Sequence, residues 1–306
     1  VSPAQDPSLH RKGLMITAVG GLALSFDIPL IRSAHGEVWS LLAVRSIATF
    51  LVAMTIWSVL RLLLRRPLAL IPGPAGLAAG VLYGINSLTF MLAVFNTTTA
   101  NVVFILAFTS MFAALLSWLF LGERPSNATL ATMAAMVCGI ALIVHDGLES
   151  GNFFGDAMAA CSALLLASAI TISRKSGADM GFVPLVTAIV PGLAGLLMLP
   201  GGTLQIEQPA FILFNGLVMI PLAFWCLATG PRYLSAPEVG MFYLLETVLA
   251  PIWVWIVFAE QPSSQTLVGG TILILALLCH SLWQMRSKAK AARLQATCAV
   301  AAPTHP

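Results

Sequence analysis

Along this chain, apolar runs of about 20 residues, the length that crosses a bilayer as a helix, alternate with short polar or Pro/Gly-rich breaks. The runs stand at 13–33, 38–60, 68–94, 98–120, 127–145, 153–173, 182–200, 209–230, 235–257 and 265–285. The breaks include "RLLLRRP", "HDGLESGN", "SRKSGADMG" and "PGGTLQIEQP". The "HRK" ahead of the first run imitates the start of a signal peptide. The run itself is longer than a signal core and no A-x-A site follows it, so it is expected to stay as a helix.

Composition turns a pattern of runs into a membrane protein. Of the residues, 58% are apolar and 9% charged, against about 25% charged in an ordinary soluble domain. Mean hydropathy is +0.93, so most of the exterior must meet the lipid bilayer. The net charge of +3 is dispersed over many loops and excludes a nucleic-acid partner, which needs a concentrated basic face.

The distribution of charge orients the spans, because Lys and Arg collect on the cytoplasmic side. With the N-terminus cytoplasmic, all 15 basic residues except Arg32 and Arg45 fall on that side. Ten spans then leave both termini cytoplasmic, in a multi-pass protein of the bacterial inner (plasma) membrane. The organisation is a tail (1–12), five spans (13–150), five more (151–285) and a flexible basic tail (286–306).

The two sets of five are related. "LGERPSNATL" from Leu121 and "FAEQPSSQTL" from Phe258 share a frame. Laying Glu123 on Glu260 also matches Val102 with Val239, Trp118 with Trp255, Pro125 with Pro262, Ser126 with Ser263 and Thr129 with Thr266. A weaker echo links 13–32 to 155–174 and pairs Arg32 with Arg174. Five is odd, so the second copy enters the membrane inverted. The fold class is therefore an all-α polytopic membrane protein of ten transmembrane helices in two inverted repeats. Inverted repeats suit secondary transport, in which similar halves exchange conformations around a central site.

The stretch "LETVLAPIWVWIVFAEQPSSQTLVGGTILI" from Leu245 resembles the L-E-P-V-x-A…E…G pattern of the drug/metabolite transporter superfamily, in its EamA-type branch of ten-helix carriers. "TSMFAALLSWLFLGERPSNATLATMAAMVCGIALIV" from Thr109 and "GDAMAA" from Gly155 are similar to the same branch. The chain departs from the pattern at Thr247 and at Thr109–Ser110. The resemblance implies a cavity among the first, third, fourth, sixth, eighth and ninth spans. It also implies export of amino acids, other metabolites or drugs, with YddG-like aromatic amino acid exporters as the leading subgroup.

Within this frame a few polar residues stand out. Glu246 lies near the middle of the ninth span, where a carboxylate costs roughly 2.5–3.5 kcal/mol to insert and faces a partner or a wet cavity. It either meets a substrate ammonium, titrates a proton, or bonds a neighbouring helix. Its repeat counterpart is the neutral Thr109. Tyr243 precedes Glu246 by one turn, and Tyr83 and Asn86 are one turn apart on the third span. Asn101 and Glu238 are repeat equivalents near helix starts, as gate groups or caps. Trp225 offers a stacking wall or simple packing. Asp27 and Arg45 reach one depth and form either a structural pair or an outer gate.

Neither a metal nor a cofactor is expected. The five cysteines and five histidines show no ligand spacing. H-E-x-x-H, G-x-S-x-G and a nucleotide-binding loop are all missing, which speaks against an enzyme. The expected partners are a small-molecule substrate and lipid; a monomer is compatible with the sequence, which leaves the oligomeric state open. The leading reading is an exporter of small amphipathic metabolites, aromatic and other apolar amino acids first. The alternative is a multidrug or cationic-compound exporter of the same superfamily.

Overall fold

The computed structural model describes residues 7–62, 69–122, 124–177, 180–229 and 236–301. The first span is α1 (Pro7–Ser25) followed by α2 (Asp27–Ser33), the second α3 (Val38–Leu62) and the third α4 (Gly73–Asn96). The fourth joins α5 (Thr99–Leu106) to α6 (Thr109–Leu121), and the fifth and sixth are α7 (Asn127–Ser150) and α8 (Phe153–Ser176). The seventh is α9 (Val183–Val186) with α10 (Ile189–Leu197). The eighth runs through α11 (Pro209–Phe214), a π-helical turn (Asn215–Met219) and α12 (Ile220–Thr229). The last two are α13 (Ala236–Phe258) and α14 (Ser264–Ala301). Among the described residues, eight spans are long and apolar enough to cross a membrane, and Val183–Leu197 and Leu245–Phe258 add shorter apolar helices.

Three of the four interruptions have one cause. A proline ring collides with the carbonyl four residues earlier. Pro29 faces Ser25, where α1 ends; Pro191 faces Thr187, where α9 gives way to α10; Pro221 faces Leu217, inside the π turn. Pro251, by contrast, is absorbed within the uninterrupted α13. The break at Ala107–Phe108 has no proline. There the Phe108 amide donates to Ile105 O at 3.0 Å, a tight 3₁₀-type turn inside an apolar run.

Packing between the halves follows the inverted repeat. α3 lies on α10, α5 on α13 and α7 on α14, each helix against its own counterpart. The α1–α12 and α4–α8 contacts exchange when the halves are swapped, as do α1–α13 and α6–α8. Glycine allows the closest approaches. A Cβ on Gly139 would stand 2.8 Å from Gly269 O, and one on Gly155 2.4 Å from Asn96 O.

α14 continues to Ala301, because "SKAKAARLQATCAVA" is rich in Ala, Lys, Arg, Leu and Gln, all strong helix formers, and its first proline is Pro303.

The core is not centred. Its main cluster gathers Ile28, Ile31, Leu41, Leu42, Phe90, Met91, Ile105 and Ile212 with Ala163 and Leu273, nearly all from the outer halves of their spans. The inner halves hold two small clusters, one around Ala53, Leu185, Val186 and Ile220 and one around Ala79, Met180 and Val183.

Candidate functional site

Asp27 opens α2 directly after the break at Phe26 and meets Arg45 of α3. Arg45 Nη2 donates to Asp27 Oδ1 at 3.0 Å and Oδ2 at 2.8 Å. Arg45 Nε donates to Asn215 Oδ1 at 2.9 Å, and Asn215 Nδ2 returns to Asp27 Oδ1 at 2.7 Å and Asp27 O at 3.2 Å. The Arg45 guanidinium also lies 5.7 Å from the centre of the Phe90 ring. Asn215 begins the π turn, and its neighbour Gly216 admits the Arg45 backbone so closely that a Cβ would stand 2.6 Å from Arg45 O. Every member of this triad is buried, and pairing offsets the desolvation that burial imposes.

Glu246 sits on α13, partly exposed, within the electrostatic field of Asp27 and Arg45. Among the described residues no side chain or backbone group hydrogen-bonds its carboxylate. Two turns further along the same helix face, Trp253 stacks on Phe26 with centroids 5.0 Å apart, and its Nε1 donates to Ser25 Oγ at 3.1 Å. Thr109 begins α6 at the break in the fourth span, with its Oγ1 buried and without a partner among the described residues.

The other residues singled out from the sequence fall elsewhere. Asn86 Oδ1 accepts from Ser162 Oγ at 2.7 Å, tying the third span to the sixth. Tyr83 packs into the small inner cluster with Ala79, Met180 and Val183, with Ser173 near its hydroxyl. Asn101 joins an outer network: its Nδ2 donates to Asp156 Oδ1 at 3.1 Å, and its Oδ1 accepts from Thr266 Oγ1 at 2.9 Å. Thr97 Oγ1 donates to the same carboxylate at 2.6 Å. Trp225 is 60% exposed, on the flank of α12 away from Ala223 and Leu227. The side chains of Glu238 and Tyr243 lie outside the described residues, as does Glu123.

Sequence reasoning missed Asn215, Asp156, Trp253 and Ser162. Asn215 carried the same signal that marked Asn86, an amide inside an apolar span. Asp156 stood in the "GDAMAA" stretch as a charge near the start of the sixth span. Trp253 and Ser162 offered no local signal beyond an aromatic and a small hydroxyl among many.

At the outer end the loop after α2 pairs with the loop before α11. Gly36 and Ile206 form an antiparallel bridge, Glu37 N donates to Gln205 O at 3.0 Å and Glu207 N to His35 O at 2.9 Å. Beside them a vestibule of 1090 Å³ is lined by Arg32, His35, Asn96, Thr97, Gln205 and Glu260 among others.

Comparison with known proteins decides what these paired halves are. The signature of the EamA-like transporter family matches residues 11–145 and matches again over 153–282. The chain belongs to the EamA-like transporter family. Each match covers one five-span half, so this EamA-like chain is a membrane transporter assembled from two copies of the family's unit. Fifteen solved chains match significantly. One crystal structure superposes with a TM-score of 0.63 at 17% identity, over 90% of this chain and 98% of the other, which shows the shared fold. No curated protein matches significantly in sequence.

Proposed function

We propose that this EamA-like transporter is a secondary carrier exporting small amphipathic metabolites, foremost amino acids with aromatic or other apolar side chains. It would act across the bacterial inner membrane by alternating access of a central cavity. The observation that carries the reading is Glu246: a carboxylate midway along a span, partly exposed, with no hydrogen-bond partner among the described residues. Left dry, such a group is costly; facing a wet cavity, it receives an ammonium. The start of α6 supplies the complementary end. Half-helix N-termini inside transporters carry a positive dipole end that favours carboxylates, and Thr109 Oγ1 is an unused hydroxyl there. The Phe26–Trp253 stack provides an aromatic surface on the same face of α13 as Glu246.

That stack beside a lone carboxylate also favours a second reading, export of lipophilic cations, which need no partner for a carboxylate. Counterflow in proteoliposomes separates the two. Liposomes loaded with unlabelled phenylalanine are expected to accumulate labelled phenylalanine above empty liposomes. Accumulation of a cationic dye with none of any amino acid would give the site to the second reading. Glu246→Gln is expected to lower the exchange rate roughly tenfold or more, the scale of a charged hydrogen bond, at an unchanged unfolding temperature. An unaltered rate would remove Glu246 from the site.

A further inference from the structure

Arg32 and Glu260 were not among the candidate site residues, yet they close the outer end of the molecule. Arg32, in the last turn of α2, donates from Nη1 to Glu260 Oε2. Its Nη2 reaches Val94 O at 3.2 Å and Thr97 O at 3.0 Å, gripping the end of α4. The other oxygen of Glu260 accepts from Thr99 N at 2.8 Å, capping the start of α5. One ion pair therefore joins the first, third and fourth spans of one half to the turn between the ninth and tenth spans of the other.

We propose that Arg32 and Glu260 form the outer latch of the transport cycle, closed in this conformation and parted when the halves rock to open outward. The inference rests on the alternating-access reading above and adds to it the residues that hold one state. Three features distinguish a latch from a fixed staple. The pair bridges the two repeats, the bodies that move against each other in such carriers. It lies in the wall of the vestibule, with side chains 24% and 21% exposed, so water can take over each charge when they separate. Arg32 Nε is buried without a partner among the described residues, so the guanidinium is incompletely satisfied by them where it sits. The sequence also carries the same charges at the opposite face, because the repeat aligns Arg32 with Arg174 and Glu260 with Glu123. A cycle that closes each end in turn needs such a counterpart.

The test uses the full chain with its cysteines replaced and spin labels at positions 96 and 205, across the vestibule. Distances between the labels are read in proteoliposomes without substrate, so the result does not depend on what the carrier moves. The parent is expected to show mainly the short distance of the closed end. Glu260→Gln and Arg32→Gln are each expected to raise the ratio of long to short distances roughly fivefold or more, the scale of one lost charge-assisted bond. The reversed pair Arg32→Glu with Glu260→Arg should recover much of the short distance, though not the cap on Thr99. An unchanged distribution in both single variants would overturn the proposal. So would a lowered unfolding temperature at unchanged distances, which is the mark of a staple. If the latch opens as expected while no amino acid is exchanged, the latch stands and only the substrate reading falls.

Discussion

The outer and inner ends of this transporter come from one repeated sequence, yet among the described residues they are held by different contacts. The outer end has the main apolar cluster, a backbone bridge between loops, and the networks around Glu260 and Asp156. The inner end, among the described residues, has two clusters of a few side chains each. An inverted repeat has no built-in reason to prefer one end. On the alternating-access reading proposed above, the outer contacts belong to a conformation shut towards the outside. Asymmetry in a symmetric design marks the state, while the features shared by both ends mark the architecture.

The strongest way to break this comparison is to disturb the buried triad beneath the outer closure. Asp27→Leu leaves Arg45 charged and unmatched, and is expected to cost about 3–5 kcal/mol, seen as a large drop in thermal unfolding temperature. Asp27→Leu with Arg45→Leu should recover most of it, since apolar side chains of similar volume replace buried ion pairs at little cost. A double variant as unstable as the single one would show that Asn215 and the π turn need the charges themselves.

Glycines at the two ends give a finer contrast. A Cβ on Gly36 would stand 2.7 Å from Gln205 O, inside the outer bridge, whereas Gly177 has open space but a φ of +64°. Gly36→Val is expected to destabilise by about 1–3 kcal/mol through overpacking, and Gly177→Ala by about 1–2 kcal/mol through backbone strain alone. Only the first should shift spin-label distances across the vestibule. Equal shifts from both would mean that the ends are coupled more tightly than their contacts indicate. The smallest effect is expected of Trp225→Ala. With its ring on the exposed flank of α12, stability should stay within about 0.5 kcal/mol and exchange should be unchanged. A clear loss of exchange would return Trp225 to the cavity wall.

Much of the fold was legible because the bilayer makes it so. Span length, charge bias and the repeated E-x-P-S-x-x-T-L frame are long-range constraints written in residue types. Pro29, Pro191 and Pro221 stand at three of the breaks, whereas Pro251 is absorbed within α13, so a proline in the sequence does not by itself tell a break from an intact helix. The break at Ala107–Phe108 was hidden, because nothing in "FILAFTS" disfavours helix. Tertiary packing of α5 against α8 and α13 sets it instead. For the candidate site, single polar residues in apolar spans were visible while their partners were not. Asn86 could be noticed, but its bond to Ser162 depends on how two halves dock. Glu260 read only as part of the repeat, and its position between Arg32 and Thr99 becomes visible only once the halves are assembled.

The separations along the chain also set an order of assembly in the membrane. Asp27 and Arg45 are 18 residues apart, so they can pair as soon as two spans have left the ribosome. Asp156 and Asn101 are 55 apart and need the sixth span. Arg45 must wait 170 residues for Asn215, and Arg32 must wait 228 for Glu260. During synthesis the first half therefore stands in the bilayer with its Asp27–Arg45 pair made and Arg32 without Glu260. The bond that shuts the outer end is among the last the newborn protein can form.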